Sequence, residues 1–208
     1  MKKHELLKSL QQKGFSKKII EAFEKVPREN FVLPDARDMA YDDVPLPIGE
    51  GQTISQPYTI ALMLSQLELK PGQKVLELGS GSGYVLALLS ELVGSKGKVF
   101  GVERISQLAE RSKEALEDYE NVTVYSQSGA SGLPEQAPFD RIIISAALRE
   151  IPEEIMSQLN TKGGILVAPK GSRFEQDLIV IERHSETEFE MKKRLPGFVF
   201  VPFIGDEN

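Results

Sequence analysis

The chain has 208 residues, of which 40% are apolar and 27% charged, enough for one domain with a substantial core. Its 31 acids exceed its 25 bases, a net charge of −6 that argues against general binding to nucleic acid or to an anionic membrane. Having no cysteine and only His4 and His184 far apart, it excludes disulfides, thiolate metal sites and a Cys nucleophile, and no metal is expected.

Residues 3 to 26 read as two short amphipathic helices. Leu6, Leu7 and Leu10 line the first and Ile19, Ile20, Phe23 and Val26 the second, with Gly14 between them and Pro27 after them. From Arg28 to Gly51 the pattern is irregular. The run DDVPLPIGEGQTISQPY is too apolar for a linker and too proline-rich for a helix or central strand, so it reads as a long ordered loop of the kind that carries function. Leu46 and Ile48 could equally plug a core edge. Gln56 to Leu69 is helical, with Ile60, Met63, Leu64 and Leu67 inward and Ser55 expected as its N-cap.

Lys74 to Tyr84, KVLELGSGSGY, is the stretch around which the rest is arranged. A short apolar run ends in glycines at 79, 81 and 83, and a helical pattern then carries Val85, Leu86, Leu88, Leu89, Leu92 and Val93. A strand that enters a helix through such a turn can bring its backbone close to a ligand. Lys98 to Val102 reads as the next strand. It ends at Glu103, 20 residues after Gly83, where an acid can accept from ribose hydroxyls. Tyr84 breaks the dinucleotide fingerprint GxGxxG and so disfavours a dehydrogenase. GxGxG preceded by Glu77 looks instead like the first motif of class I S-adenosylmethionine-dependent methyltransferases.

Further on, a helix is expected over Ile105 to Leu116, strands over Val122 to Tyr125, Asp140 to Ser145 and Gly164 to Ala168, and a helix over Ile151 to Leu159. Asp177 to Glu182, Glu188 to Lys192 and Phe198 to Phe203 read as closing strands, the first two as a hairpin. The fold class is therefore α/β, a doubly wound, mainly parallel Rossmann-like sheet with helices on both faces and a short antiparallel C-terminal strand region. One domain is expected: N-terminal helices and a substrate-side loop (1–50), a cofactor-binding core (51–170) and C-terminal strands (171–208). With no apolar run of roughly 18 residues and no signal-like start, the expected place is the cytoplasm.

VPRENFV, GQTISQPY, LELGSGSGY, GVER, GLPEQAPFDRIIISAA and FVP stand in the same order as in protein-L-isoaspartate O-methyltransferases, which the chain resembles from about Pro27 to about Pro202. That resemblance implies methyl transfer from S-adenosyl-L-methionine to the free α-carboxylate of L-isoaspartyl residues in damaged proteins and peptides, by a cytosolic monomer that needs neither nucleic acid nor membrane. The ester then collapses to a succinimide, whose hydrolysis returns some normal aspartate. By the same resemblance Ser55 is the catalytic residue, and Pro47, Ile48 and Gly49 join it in the substrate wall. Gly79, Ser80, Gly81 and Gly83 lie under the cofactor, and Glu103 takes the ribose with Arg104 beside it. Thr53, Ile54 and Tyr58 flank Ser55, Tyr58 closing over the cofactor. Glu77, Ser128 and Gly129 complete the cofactor set.

One departure stands out. Where the family has GDGxxG, this chain reads Gln127-Ser128-Gly129-Ala130-Ser131-Gly132, so a hydroxyl replaces the carboxylate expected to meet the adenine amino group. Alternatives therefore stay open: a class I methyltransferase for another carboxylate or a small molecule, or a catalytically silent paralogue.

Overall fold

The computed structural model describes residues 1–203. Helices α1 (Lys3–Gln12) and α2 (Lys17–Lys25) follow the two amphipathic patterns. The irregular stretch after them is ordered. It forms two 3-10 turns, Arg28–Phe31 and Pro34–Met39, and then a two-stranded antiparallel hairpin, β1 (Leu46–Gly49) with β2 (Gln52–Ile54). Prolines confine such strands to a sheet edge, which is why this pair stands apart from the main sheet.

The central sheet has seven strands: β3 (Lys74–Leu78), β4 (Lys98–Glu103), β5 (Val122–Ser126), β6 (Arg141–Ile144), β7 (Gly164–Gly171), β8 (Gln176–Arg183) and β9 (Phe189–Phe198). Their spatial order is β5-β4-β3-β6-β7-β8-β9, with β5 through β7 parallel and the last two antiparallel. The chain winds outward from β3 in one direction through β4 and β5, then returns to β6 on its other side. A crevice opens where that reversal splits the loops, at the carboxyl ends of β3, β4 and β6.

Helices α3 (Pro57–Gln66), α4 (Tyr84–Val93) and α5 (Ser106–Ala115) pack with the sheet, and a short α6 (Glu153–Met156) follows β6. α4 is buried on nearly every side because α2 covers what the sheet does not, and Phe23 and Phe31 set their rings against Tyr84 at 6.1 and 5.5 Å. Two apolar cores result, one under the N-terminal helices and one on the opposite face around Leu76, Phe139, Ile142 and Leu166.

Four expectations are corrected. The helix expected over 151–159 shrinks to a single turn, since Gln158 and Leu159 leave it to hydrogen-bond with Leu133 and to bridge Phe139. The strand expected over 198–203 is absent: β9 already runs ten residues to Phe198, and the chain then crosses the sheet end through a single bridge between Ala147 and Pro202. The N-cap of α3 is Gln56 rather than Ser55, because Pro57 takes the first helical position. The antiparallel region is also longer than expected, eight and ten residues in β8 and β9.

Candidate active site

The crevice is a cleft whose empty space, counted with the open solvent at its mouth, is about 980 Å³. Its floor is Glu77 near the end of β3, the turn that follows (Gly79, Ser80, Gly81, Ser82), and the end of β4 with the two residues beyond it (Val102 to Ile105). One wall is the hairpin and the start of α3, with Ile48, Thr53, Ile54 and Ser55; the other is Ser145, Ala146 and Gly129, roofed by Val201, Pro202 and Phe203.

The glycine turn works by absence of side chains more than by offering donors. The N–H groups of Gly79 and Ser80 donate to the Val102 carbonyl at 2.9 and 3.2 Å, and that of Gly81 donates to Glu103 Oε2 at 2.8 Å. Three donors that would cradle a pyrophosphate are thus already used, which speaks against a dinucleotide. Gly81 has φ +52°, and a Cβ there would sit 3.0 Å from Ile48 Cδ1. Ile48, 2% exposed, therefore plugs the core edge and lines the cleft at once.

Two acids give the cleft its electrostatics. Glu103 is buried, with Oε2 on the Gly81 N–H and Oε1 on the Ile105 N–H at 2.9 Å, leaving each oxygen a lone pair. Glu77 lies deeper. Ser145 Oγ donates to its Oε1 at 2.6 Å, while Oε2 is buried without a partner. Burial pushes its carboxyl up to about 8, partly countered by the Ser145 hydrogen bond and reinforced by the charge of Glu103. Ser80 Oγ is a second buried oxygen without a partner. Orphaned polar atoms in a lined cleft mark a polar ligand, and an unneutralised acid pair suits a cation. Among the described residues no cluster of acids and histidines fit to hold a metal occurs.

Most of the residues expected here do meet in the cleft: Ile48, Thr53, Ile54, Ser55, Glu77, Gly79, Ser80, Gly81, Glu103, Arg104 and Gly129. Five do not. Tyr58 packs elsewhere, its ring 5.8 Å from Phe15 and under Lys13 Nζ at 5.0 Å, and does not line the cleft. Gly83 starts α4 at φ +88°, and a Cβ there would strike Ser112 Oγ at 2.5 Å and Leu116 Cδ1 at 2.8 Å; it serves helix packing. Pro47 is exposed on the hairpin, and Gly49 lies beside Arg111, whose Nη1 donates to the Ile48 carbonyl at 2.9 Å. Ser128 Oγ is engaged by the Ala130 N–H at 3.3 Å and does not line the cleft.

Other contributors went unread in the sequence. Val201 to Phe203 reach the cleft because Ala147 binds them on both sides, through Ala147 N–H to Val201 O and Phe203 N–H to Ala147 O, each 2.8 Å. Gln158, buried after α6, receives the Leu133 N–H at 2.8 Å and donates to the Ser131 carbonyl at 2.7 Å, tying down the loop that carries Gly129. Only FVP within the resemblance pointed to the roof, and no local signal marks Gln158.

Fold and cleft together define a Rossmann-like protein of the class I methyltransferase build, with a switch-point site for a polar, cationic small molecule. A precorrin-6y C5,15-methyltransferase from Geobacter metallireducens shares that fold alone, at TM-score 0.52 and 20% identity over 71% of this chain and 89% of its own. The whole chain, residues 1–208, matches the model of the protein-L-isoaspartate(D-aspartate) O-methyltransferase family, and it belongs to that family. It is 45% identical over 210 residues to the protein-L-isoaspartate O-methyltransferase of Ignicoccus hospitalis, covering 99% of both chains. A Plasmodium falciparum structure described as a protein-L-isoaspartate O-methyltransferase in complex with S-adenosyl-L-homocysteine superposes at TM-score 0.84, with 26% identity over 96% of this chain and 97% of that one.

Proposed function

We propose that this chain is a protein-repair enzyme that methylates the α-carboxylate of L-isoaspartyl residues in proteins and peptides, with S-adenosyl-L-methionine as donor. The observation that carries the reading is a single cleft holding Ser55, the glycine turn and the acids Glu77 and Glu103. Bound there, S-adenosylmethionine supplies an electrophilic methyl group on a sulfonium. Glu103, with a lone pair on each oxygen, accepts from ribose hydroxyls. Glu77 Oε2 and Ser80 Oγ meet the polar part of the methionyl moiety.

The acceptor is a carboxylate, already ionised at neutral pH, so no general base is needed. Ser55 holds the acceptor: its hydroxyl donates to one carboxylate oxygen and leaves the other free to attack. It stands two residues before the first turn of α3, whose partial positive charge favours an anion. Ile48, Ile54 and Val201 keep water away, which concentrates the reaction on the positioned pair.

The net negative charge and the lack of cysteine fit action in the cytosol without nucleic acid or an anionic membrane. Among the described residues no helix is long and apolar enough to cross a membrane. The test is transfer of labelled methyl to an isoaspartyl peptide beside its aspartyl twin. Label on the isoaspartyl peptide alone is expected. Equal labelling of both would point to a general carboxylate methyltransferase, and cofactor binding without any transfer to the silent paralogue.

A further inference from the structure

Arg28 lies on the first 3-10 turn and is completely buried, yet among the described residues no carboxylate forms an ion pair with it. Its charge is spread over backbone oxygens instead. Nη1 donates to the carbonyls of Ala40 at 2.6 Å and Asp42 at 3.4 Å, and Nη2 to those of Val44 at 3.2 Å and Ser55 at 3.1 Å. Burial lowers its pKa, while Tyr84, Asp43, Asp42 and Tyr41 act the other way. Taking a guanidinium out of water for carbonyl partners alone is an expensive way to fasten a loop, since well-packed apolar side chains fill such space at lower cost.

What the arrangement achieves is geometric. Three of the four carbonyls belong to the segment leading into the hairpin, and the fourth to Ser55 at the hairpin's far end. Asp43, in the same segment, accepts the Tyr58 N–H at 2.8 Å and so ties it to the first turn of α3. Because the peptide group is planar, anchoring the Ser55 carbonyl also sets the direction of the Gln56 N–H and the ψ angle that aims the Ser55 side chain. Only a planar fork with several donors reaches four carbonyls from one position; a lysine ammonium offers three donors from a point.

We infer that Arg28 is the positioning residue that holds Ser55 at its place in the cleft wall, acting from the core side through the Ser55 carbonyl. The inference rests on the proposed function of Ser55. Arg28 does not line the cleft, so its effect on the reaction passes through Ser55 and the hairpin rather than through the ligand.

A double-mutant cycle with Arg28→Lys and Ser55→Ala tests this, read as kcat and KM for the isoaspartyl peptide and as Kd for S-adenosylhomocysteine by calorimetry. Arg28→Lys is expected to lower kcat about 10- to 100-fold, the range that a misplacement of about 1 Å produces, with KM and Kd within about threefold of wild type. In the Ser55→Ala background the same change is expected to cost less than about threefold. Equal losses in both backgrounds would show a merely structural arginine and overturn the inference. A parallel loss of S-adenosylhomocysteine affinity would overturn it as well. Wild-type rates for Ser55→Ala alone would instead bring down the reading of Ser55, so the two failures are distinguishable. Should Arg28→Lys not fold, the Arg28 Nη resonances of the wild-type protein serve. They are expected to shift when isoaspartyl peptide joins the S-adenosylhomocysteine complex, and unchanged resonances would refute the link.

Discussion

Replacing Glu77 by glutamine isolates the charge at the base of the cleft. Gln keeps the acceptor that Ser145 Oγ uses and removes the ionisable group. In the folded protein without ligand, burial holds the Glu77 carboxyl at about 8 against an ordinary 4.5. The folded state therefore keeps a proton that the unfolded chain has released, so stability falls as pH rises from about 4.5 to about 8 and levels off above. At about 1.4 kcal/mol per pH unit, roughly 4 kcal/mol separates pH 5 from pH 9, or about 8–16 °C in Tm for a chain of this size. Wild type and Glu77→Gln are to be unfolded by urea or heat across that range. The variant is expected to match the wild type near pH 5 and exceed it by about that amount near pH 9. Profiles that stay parallel would mean that Glu77 is ionised throughout and would refute the argument. A cation in the cleft reverses the shift, so S-adenosylmethionine binding at pH 7 is expected to release a proton, seen as a buffer-dependent binding enthalpy that Glu77→Gln abolishes.

Other expectations follow from the same geometry. Ser145→Ala removes the hydrogen bond that favours the ionised Glu77, so the pH dependence of wild-type stability moves to still higher pH, checked by the same unfolding series. Gly83→Ala puts a Cβ 2.5 Å from Ser112 Oγ in a left-handed backbone, and a loss of about 2–5 kcal/mol is expected in urea unfolding. Gln158→Leu leaves the Leu133 N–H and Ser131 carbonyl unpaired, costing about 2–4 kcal/mol and loosening the Gly129 wall, so S-adenosylhomocysteine binding weakens in calorimetry. Ser128→Asp puts a carboxylate at the position next to Gly129 in the chain. If adenine sits there, affinity rises about 5- to 30-fold by the same measurement, and an unchanged Kd would move adenine elsewhere.

Residues whose placement follows from neighbours in the chain were legible in advance. The apolar run of β3, the glycines and the helical period of α4 announce a strand, turn and helix, and Glu103 stands at the end of the next apolar run, which forms β4. The two N-terminal helices and the parallel sheet follow from the same periodicities. Their physics is local: backbone conformation, side-chain period and the chemistry of turns.

What the sequence alone could not place depends on chain segments far apart. Val201 to Phe203 roof the cleft through hydrogen bonds to Ala147, and Arg28 reaches Ser55 across 27 positions. Tyr58, in the first turn of α3, packs instead against Phe15 and Lys13 in the link between α1 and α2. By itself the sequence determined the strand-turn-helix unit, the acid at the end of β4 and the doubly wound class. The tertiary structure alone decided which side chains share the cleft and that Glu77 is held there with an orphaned oxygen, because burial and long-range pairing exist only once the layers have packed.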